Sequence, residues 1–332
     1  MFIKEIGNLI KEFEWNKLDV IVHGANCLVG VMGAGIAKQI AEKYPEALKA
    51  DIDVDLPKGS GRLGKFSYCV VKNETTGNNQ LIINAYTQES VRSKSNPIPF
   101  SIEALDNVMK EIYSSDIMNI LKTNKKINIG LPHIGAGLGG GDLNEIESVI
   151  KKHAELNKNK FNTFFVEYTN DLIPSFKIEG NEYLSNFKIF SNPIVFEGRE
   201  YNSVERAYMA AKSDDTKWKD MCSFGYKNNE QGQMKKDSKT VNLIDNWDNL
   251  KSKYMYIFVK EKFQKNEDLK QKLLSTGNAI IEEGNYHNDV YFGVCLKTNK
   301  GQNMLGRILM KVRSEIVEEI KQENKIVKKQ KI

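Results

Sequence analysis

Cysteine and histidine are scarce in this sequence, and neither residue recurs at the spacing of a metal site. The chain has four histidines and four cysteines, the latter at Cys27, Cys69, Cys222 and Cys295. Without a C-x-x-C pair these positions indicate neither a disulfide framework nor a zinc site, and the histidines show no metal-ligand spacing. We therefore expect free thiols in a reducing cytoplasm, with no metal and no other cofactor.

Long apolar runs are also absent, and no segment has the pattern of a signal peptide. The sequence thus predicts a soluble, cytoplasmic protein with no membrane partner. Charge of one sign is not concentrated either, since 48 Lys and Arg residues against 43 Asp and Glu leave a net charge of +5. This mild excess permits contact with nucleic acid but does not require it. The length of 332 residues favours two domains.

The first half alternates strand-like and helix-like segments. Apolar, β-branched runs predict strands at 19–23, 66–71, 81–85, 127–131 and 163–168. Helical periodicity falls between them, at 36–49, 102–121 and 143–156. This alternation predicts an α/β domain with a mainly parallel sheet and helices on both faces. Ligands of such sheets bind at the carboxyl ends of the strands.

Two glycine-rich turns follow predicted strands, and each begins a predicted helix. The first leads from His23-Gly24-Ala25-Asn26 to Gly33-Ala34-Gly35, and the second is Pro132-His133-Ile134-Gly135-Ala136-Gly137-Leu138-Gly139-Gly140-Gly141-Asp142. Glycine lets a backbone approach a phosphate closely, and a helix N-terminus offers unpaired N–H groups to an anion. Two such turns predict a cradle for a diphosphate, although each alone is also typical of tight packing between a helix and a sheet.

These segments resemble the macrodomain family of ADP-ribose-binding modules, in the branch that includes ADP-ribose-1″-phosphate processing enzymes and ADP-ribosyl hydrolases. The resemblance implies an α/β fold, with a mixed sheet flanked by helices, over residues 1–172. It implies that Asn26 contacts the distal ribose and that Asp142 is the acid used by hydrolytic members. The implied phosphate contacts are Gly33, Ala34, Gly35, Ile36, Gly135, Ala136, Gly137, Leu138 and Gly139.

Two departures from the macrodomain pattern weaken the case for hydrolysis in this half and leave binding. Related hydrolases carry a lysine nucleophile just after the strand matched by Leu81-Ile82-Ile83, where this chain continues Asn84-Ala85-Tyr86-Thr87 without a lysine. The family's early Gly-Asp is Gly7-Asn8 here. Asp142 also stands just before a predicted helix, where an acid is often an N-cap. We expect the first domain to bind ADP-ribose or to process a second linkage.

The second half begins after a polar, proline-bearing stretch near residues 171–180 and is dominated by helical periodicity. Glu205 and Lys212 lie seven residues apart among good helix formers, so two helical turns would place both on one face. A carboxyl group can activate water or protonate a leaving base, and an amine of lowered pKa can form an imine with an opened sugar. The same residues equally fit a capping box from Asn202 to Glu205 and a solvated lysine.

Seven blocks resemble, in order, the NADAR (YbiA-like) family of N-glycosidases: 183–187, 203–212, 246–248, 262–263, 273–277, 289–293 and 301–313. The resemblance implies a mainly α domain over residues 178–320, followed by a basic tail at 321–332. It makes Glu205 the acid–base residue and Lys212 the amine that engages the distal ribose. The family's usual histidine after this glutamate is Arg206, which would shift the pKa of Glu205 or reach a phosphate. The implied ligand contacts are Asn186, Trp247, Asp289, Asn303 and Arg307, with core packing as the alternative for the tryptophan.

Together the two resemblances imply an ADP-ribosyl hydrolase that cleaves the N-glycosidic bond of ADP-ribosylated guanine in DNA. The implied partners are ADP-ribose or ADP-ribosylated nucleic acid and a cognate ADP-ribosyltransferase toxin, since such a fusion suits an antitoxin or a phage counter-defence protein. Two alternatives stay open. One is an N-glycosidase of phosphoribosylated riboflavin-pathway intermediates, and the other is a non-catalytic reader of ADP-ribose.

Overall fold

The computed structural model describes residues 1–174 and 179–329. The chain forms two compact units, Met1–Asn170 and Asp171–Ile332, called unit 1 and unit 2 below. Residue 178, the predicted start of the second domain, and residues 330–332 of the predicted basic tail lie outside the described residues.

Unit 1 is built on one mixed sheet of six strands. The strands are β1 (Phe2–Gly7), β2 (Val20–Asn26), β3 (Phe66–Lys72), β4 (Asn79–Gln88), β5 (Ile127–Leu131) and β6 (Phe161–Tyr168). Their order is β1-β6-β5-β2-β4-β3, and every neighbouring pair is parallel except β3 with β4. Because β2 pairs with both β4 and β5, the carboxyl ends of these three strands lie side by side. The predicted mixed α/β fold is confirmed.

Helices cover both faces of this sheet because alternate strand residues point to opposite sides. The helices are α1 (Leu9–Glu14), α2 (Gly35–Lys43), α3 (Pro45–Asp53), α4 (Ile102–Ser114) and α5 (Leu143–Leu156). Val20 and Val22 of β2 share a core with residues of α4 and α5. Ile21, between them, shares the opposite core with residues of α1, α2 and α3. Each helix therefore buries one apolar stripe against the sheet.

Two predicted helices of unit 1 are wrong in extent. The segment predicted as one helix over 36–49 is α2 and α3, which break at Tyr44. Pro45 has no N–H to continue α2, and its fixed φ suits the first position of the next helix. The segment predicted as one helix over 102–121 ends at Ser114, and a 3₁₀ turn (Asp116–Leu121) follows, capped by the hydroxyl of Ser115.

Unit 2 is mainly helical, as predicted. Its helices are α6 (Val204–Ala210), α7 (Thr216–Asp220), α8 (Gln231–Asp237), α9 (Trp247–Lys265), α10 (Glu267–Ser275) and α11 (Met304–Lys329). Its described strands have two or three residues each: β7 (Leu172–Ile173), β8 (Ile194–Phe196), β9 (Arg199–Tyr201), β10 (Ile280–Ile281), β11 (Gly284–Asn285), β12 (Val294–Cys295) and β13 (Lys300–Gly301). The core lies where α6, α9 and α11 meet, around Ala207, Phe258 and Leu309. Within residues 1–174 and 179–329, none of the helices has the length and apolarity needed to span a membrane.

The glycine-rich loop after β5 is folded against Phe100. Gly135 has a φ of +79°, and a Cβ at this position would overlap the Phe100 ring. The N–H of Phe100 donates to the carbonyl of Gly139 at 3.3 Å, and the N–H of Gly141 donates to Gly135 at 3.0 Å. These bonds fix the base of the loop and leave its tip, at Gly137 and Leu138, exposed.

We expect Gly135→Ala to destabilise unit 1 by about 3 kcal/mol, because both the left-handed backbone and the overlap with Phe100 are unfavourable. Urea-induced unfolding measures the change. Gly137→Ala is the matched control, since its Cβ would meet nothing within 4 Å, and it should stay within about 0.5 kcal/mol of the parent. Equal midpoints for the two variants would contradict this account of the loop.

Candidate active site and ligand-binding turns

The first glycine-rich turn of unit 1 lies where β2 ends and α2 begins. Asn26 is the last residue of β2, and its side-chain oxygen accepts a hydrogen bond from the N–H of Leu28 at 2.9 Å. Gly35, with a φ of +57°, is the first residue of α2. Ala34, at the N-cap, has no side-chain oxygen for the first N–H groups of the helix. Gly33, Ala34 and Gly35 are exposed, so these donors can receive an anion.

The second turn, 132–141, ends in the N-cap of α5. The Asp142 carboxylate accepts hydrogen bonds from the N–H groups of Asn144 at 2.8 Å and Glu145 at 3.0 Å. The alternative interpretation of Asp142 as an N-cap is therefore confirmed. Its assignment as a hydrolytic acid remains a prediction, since the capping bonds engage one carboxylate oxygen.

The stretch after Leu81-Ile82-Ile83, in which the sequence has no lysine, is buried throughout residues 84–87. Asn84 Oδ1 lies 2.7 Å from His23 Nε2, and Asn84 Nδ2 donates to the carbonyl of Ala47 and the hydroxyl of Ser67. Every polar atom of this side chain is thus engaged by the fold. Asn84 lies within β4, and its amide supplies no nucleophile.

A buried ion pair supports the first turn and was not predicted from the sequence. Asp51 accepts hydrogen bonds from Arg62 Nη1 at 3.0 Å and from the Tyr86 hydroxyl at 2.8 Å. Its other oxygen accepts the N–H of Gly30 at 2.7 Å. Asp51 and Arg62 are almost fully buried, so the pair ties the turn after Asn26 to the sheet. No spacing in the sequence links these residues.

In unit 2, the N-cap of α6 is Ser203 and not Asn202. The Ser203 hydroxyl accepts the N–H of Arg206 at 3.2 Å and donates to Gln231 Oε1 at 2.6 Å. The capping box from Asn202 to Glu205 is therefore wrong. Because Ser203 satisfies the end of the helix, the Glu205 carboxyl group is not used as a cap.

Glu205 is instead buried inside unit 2, with 3% of its surface exposed. Its Oε1 atom accepts no hydrogen bond from the part of the chain that the structure describes. Lys235 Nζ lies 3.9 Å from this oxygen. Burial raises the pKa of Glu205, Lys235 and then Lys212 oppose that rise, and Asp289 adds to it. A buried carboxyl group with a raised pKa holds a proton more readily than an exposed one, which suits it to accept and return a proton in a reaction.

Lys212 lies just beyond α6, because this helix ends at Ala210 and Ala211 is its C-cap. The sequence predicted Glu205 and Lys212 on one helical face, whereas in the structure Glu205 lies on the helix and Lys212 in the turn after it. Lys212 Nζ donates to the Ser238 hydroxyl at 3.1 Å and lies 5.7 Å from the centre of the Tyr208 ring. Burial lowers the pKa of Lys212, whereas Glu205 raises it. The structure therefore brings the two predicted groups into electrostatic interaction.

Aromatic rings pack beside this acid–amine pair. Tyr208, on α6 between the two groups, lies 5.2 Å from Trp247 and 5.6 Å from Phe292 between ring centres. Trp247 also stacks on Tyr254 at 6.0 Å. Trp247 is buried in the core of unit 2, so core packing accounts for it and its ligand contact stays a prediction.

Asn186 and Asp289 lie close to Glu205. The carbonyl of Asn186 accepts the N–H of Glu205 at 2.9 Å. The side chain of Asn186 is buried, and its Oδ1 finds no hydrogen-bond partner among the described residues. Asp289 uses one oxygen to accept the N–H groups of Tyr291 and Phe292, at 3.1 and 3.0 Å. Asn186 thus offers a polar atom for a ligand, and Asp289 orders the turn that carries Phe292.

Two other polar residues of the predicted site hold backbone segments. Asn303 is fully buried; its amide donates to the carbonyl of Ile281 and accepts the N–H of Glu283, both at 2.9 Å. This gives Asn303 a structural role, and its contact with a ligand stays a prediction. The Arg206 guanidinium is buried and donates to the carbonyls of Cys222 and Tyr226. These two donors serve the backbone, whereas Nε has no hydrogen-bond partner among the described residues, so the interpretation that Arg206 shifts the pKa of Glu205 or reaches a phosphate stays a prediction. Arg307 is half-buried in the first turn of α11.

A buried lysine anchors the segment that leads to Asn186. Lys262, on α9, donates to the carbonyls of Tyr183 at 2.7 Å and Ser185 at 2.9 Å. Burial lowers its pKa from 10.5 to about 7. Lys262 lies in a block matched from the sequence, but nothing in its spacing indicated this role.

Two residues near the acid–amine pair were missed, Lys235 and Ser238. They lie in a segment with four lysines, at 227, 235, 236 and 239. Such a segment is typical of a solvated surface, and no periodic signal separates Lys235 from its neighbours. Among the described residues, no three His, Cys, Asp or Glu side chains converge to hold a metal ion.

Comparison with known proteins assigns unit 2 to a family. Residues 169–317 match the model of the NADAR domain. A 17.5 kDa protein of Enterobacteria phage T4, from the tk-vs intergenic region and of uncharacterized function, is 31% identical over 157 residues, covering 46% of this chain and 91% of its own length. N-glycosidase YbiA of Escherichia coli is 28% identical over 148 residues, covering 44% of this chain and 89% of its own. The chain belongs to the NADAR family.

A second set of similarities concerns macrodomains. The macrodomain of Thermus aquaticus DarG superposes with a TM-score of 0.38 and 22% identity, covering 50% of this chain and 98% of that structure. A protein from Candida glabrata named ADP-ribose 1''-phosphate phosphatase is 28% identical over 166 residues, covering 44% of this chain and 89% of its own length. Unit 1 resembles the macrodomain fold in its mixed sheet and flanking helices.

We expect Lys262→Met to change how stability depends on pH. A lysine whose pKa is about 7 when folded and 10.5 when unfolded leaves the unfolded chain with more bound protons between these values. Its contribution to stability therefore rises with pH across this window. The free energy of unfolding of the parent minus that of Lys262→Met should increase by up to about 1.4 kcal/mol per pH unit.

The measurement is urea-induced unfolding at a series of pH values from 7 to about 10.5. Lys253→Met, at an exposed position on the same helix, should differ from the parent by the same amount throughout. Parallel curves for the parent and Lys262→Met would rule out a desolvated ammonium at this position.

Proposed function

We propose that the chain is an ADP-ribosyl hydrolase whose unit 2 cleaves the N-glycosidic bond between ADP-ribose and guanine in DNA. The observation that carries this proposal is the buried Glu205 carboxyl group, whose Oε1 accepts no hydrogen bond from the described residues, in electrostatic interaction with the half-buried amine of Lys212. An N-glycosidic bond breaks when a nucleophile attacks the sugar carbon and an acid gives a proton to the departing base. The two side chains supply these functions.

In the proposed reaction Glu205 first takes a proton from the Lys212 ammonium. The neutral amine then attacks the anomeric carbon of the distal ribose, and the bond to guanine breaks as Glu205 returns the proton to the base. The sugar ring opens to an imine with Lys212, and water hydrolyses that imine to free ADP-ribose and the amine. Burial favours the proton transfer from Lys212 to Glu205 and the attack by the neutral amine, because it raises the pKa of Glu205 and lowers that of Lys212.

The surroundings of the pair support this chemistry. Tyr208, Trp247 and Phe292 form an apolar side that keeps water from the reacting atoms. Asn186 Oδ1 offers a hydrogen-bond acceptor to a ribose hydroxyl or to the base. We place Asp289 and Arg307 at the same site, with Arg307 as a donor to a phosphate.

Unit 1 is proposed to bind ADP-ribose without turning it over. The exposed N–H groups at Gly33–Gly35 and the loop 135–139 would hold the diphosphate, and Asn26 would contact the ribose. The side chain of Asn84 is hydrogen-bonded within the fold through each of its polar atoms, and it provides no amine for catalysis. Unit 1 would then retain the modified DNA or capture the product, in an antitoxin or a phage counter-defence protein that opposes a DNA-modifying ADP-ribosyltransferase.

We expect Glu205→Gln to lower the rate of ADP-ribose release from guanine-modified DNA at least about 100-fold, since it removes the proton carrier. Lys212→Ala should lower the rate by a similar factor, because it removes the nucleophile. Released ADP-ribose is quantified by liquid chromatography in single-turnover reactions. Lys217→Ala, at an exposed lysine of α7, is the control and should react as the parent does.

Unchanged rates in both active-site variants would contradict the assignment of the pair. Release from thymine-modified DNA, modified protein or a phosphoribosylated pyrimidine, but not from guanine-modified DNA, would contradict the substrate. Unit 1 variants should leave single-turnover rates at saturating enzyme unchanged, because this unit is proposed only to bind.

A further inference from the structure

Two lysines lie near Glu205, and they make different contacts. Lys235 forms an ion pair with Glu205 Oε1, at 3.9 Å. Lys212 instead donates to the Ser238 hydroxyl, and within the described residues it has no carboxylate oxygen within 4.0 Å of its Nζ. The two lysines also differ in burial, since 49% of the Lys235 side chain is exposed whereas Lys212 is half-buried.

The position of Lys235 is set by hydrogen bonds between α8 and the start of α6. Gln231, the first residue of α8, accepts a bond from the Ser203 hydroxyl at 2.6 Å and donates to the carbonyl of Phe187 at 2.9 Å. Ser203 is the N-cap of α6, two residues before Glu205. Met234, in the middle of the helix, is fully buried and packs into the core of unit 2. Lys235, the next residue, is thereby held at the Glu205 carboxylate.

The Lys235 ammonium also lies 5.9 Å from the centre of the Phe187 ring. Phe187 follows Asn186, whose carbonyl accepts the N–H of Glu205. A cation over an aromatic face gains a modest attraction. The lysine is therefore held from two sides, by the ring and by the carboxylate.

Three ionisable groups act on Glu205 from the elements packed around it. They are Lys235 on α8, Lys212 after α6 and Asp289 in the turn before β12. Glu205 in turn raises the pKa of Tyr208 on α6. Lys235 favours the charged form of Glu205 most, ahead of Lys212, whereas burial and Asp289 favour the neutral form. An ammonium that pairs with a carboxylate is itself held charged, so one lysine cannot both pair with Glu205 and act as a neutral nucleophile.

We propose that Lys235 is a positioning residue of the active site, whose ammonium holds Glu205 as a carboxylate before substrate reacts and so leaves Lys212 available as the nucleophilic amine. The catalytic role of Lys235 rests on the proposed function. The dependence of Glu205 ionisation on Lys235 does not require that function.

The test is the titration of Glu205 by ¹³C NMR of the whole chain labelled at glutamate side-chain carboxyls, with the signal assigned by its loss in Glu205→Gln. In Lys235→Met we expect the midpoint of Glu205 to move to higher pH by about one unit, because an opposite charge nearby has been removed. Lys235→Arg keeps the charge and should restore the midpoint of the parent. Lys236→Met, at the exposed neighbouring position, should leave it unchanged.

Salt provides a second readout. Added salt screens a half-exposed ammonium, so the midpoint of the parent should rise with ionic strength, and that of Lys235→Met should rise less. An unchanged midpoint in a folded Lys235→Met chain overturns the inference, as does an equal shift in Lys236→Met.

The two proposals fail in different ways. The titration needs no substrate, so a chain that shows the shift but releases no ADP-ribose supports the role of Lys235 and contradicts the proposed function. If the chain is active, the acidic limb of kcat against pH should move upward in Lys235→Met and return in Lys235→Arg. A loss of activity at all pH values, with the Glu205 midpoint unmoved, would mark Lys235 as merely structural.

Discussion

The proposed site in unit 2 depends on the burial of the Glu205 carboxyl group at a position where the protein does not satisfy all of its hydrogen bonds. A carboxylate removed from water without full hydrogen bonding is unfavourable by several kcal/mol. The fold retains it because the neighbouring elements are fixed by other contacts. Ser203 caps α6, Gln231 joins α6 to α8, and Lys262 holds the segment before Asn186. The unfavourable burial of the Glu205 carboxyl group is therefore offset by contacts of residues that are not proposed to touch the ligand.

In the proposed function, the two units bind an anionic sugar nucleotide by different means. Unit 1 presents backbone N–H groups at strand and helix ends, where glycines let the chain approach a ligand closely. Unit 2 presents ionisable side chains whose pKa values are moved toward neutrality by burial. The first arrangement suits binding, because backbone donors neither gain nor lose protons. The second suits proton transfer and covalent chemistry.

Hydrophobic periodicity, a local signal, predicted the alternating strands and helices of unit 1 and the helical character of unit 2. Spacing alone did not single out Glu205 and Lys212, which were chosen through the resemblance to the NADAR family. The break at Pro45 was predictable in principle, since proline cannot continue a helix. The pairing of Lys235 with Glu205 and of Asp51 with Arg62 was not, because residues distant along the chain meet only after packing. Asn303 and Arg206 have side chains that suit ligand contacts, but in the fold both donate hydrogen bonds to backbone carbonyls.

The central claim is that the bond to ADP-ribose is broken through Lys212 of unit 2. Reduction with sodium borohydride of the chain incubated with ADP-ribose tests it most directly, because borohydride converts an imine into a stable amine that peptide mass spectrometry can locate. The account predicts an ADP-ribose adduct on Lys212 in the parent and its loss in Lys212→Arg. An adduct confined to other lysines, or none on the folded parent chain, would contradict it.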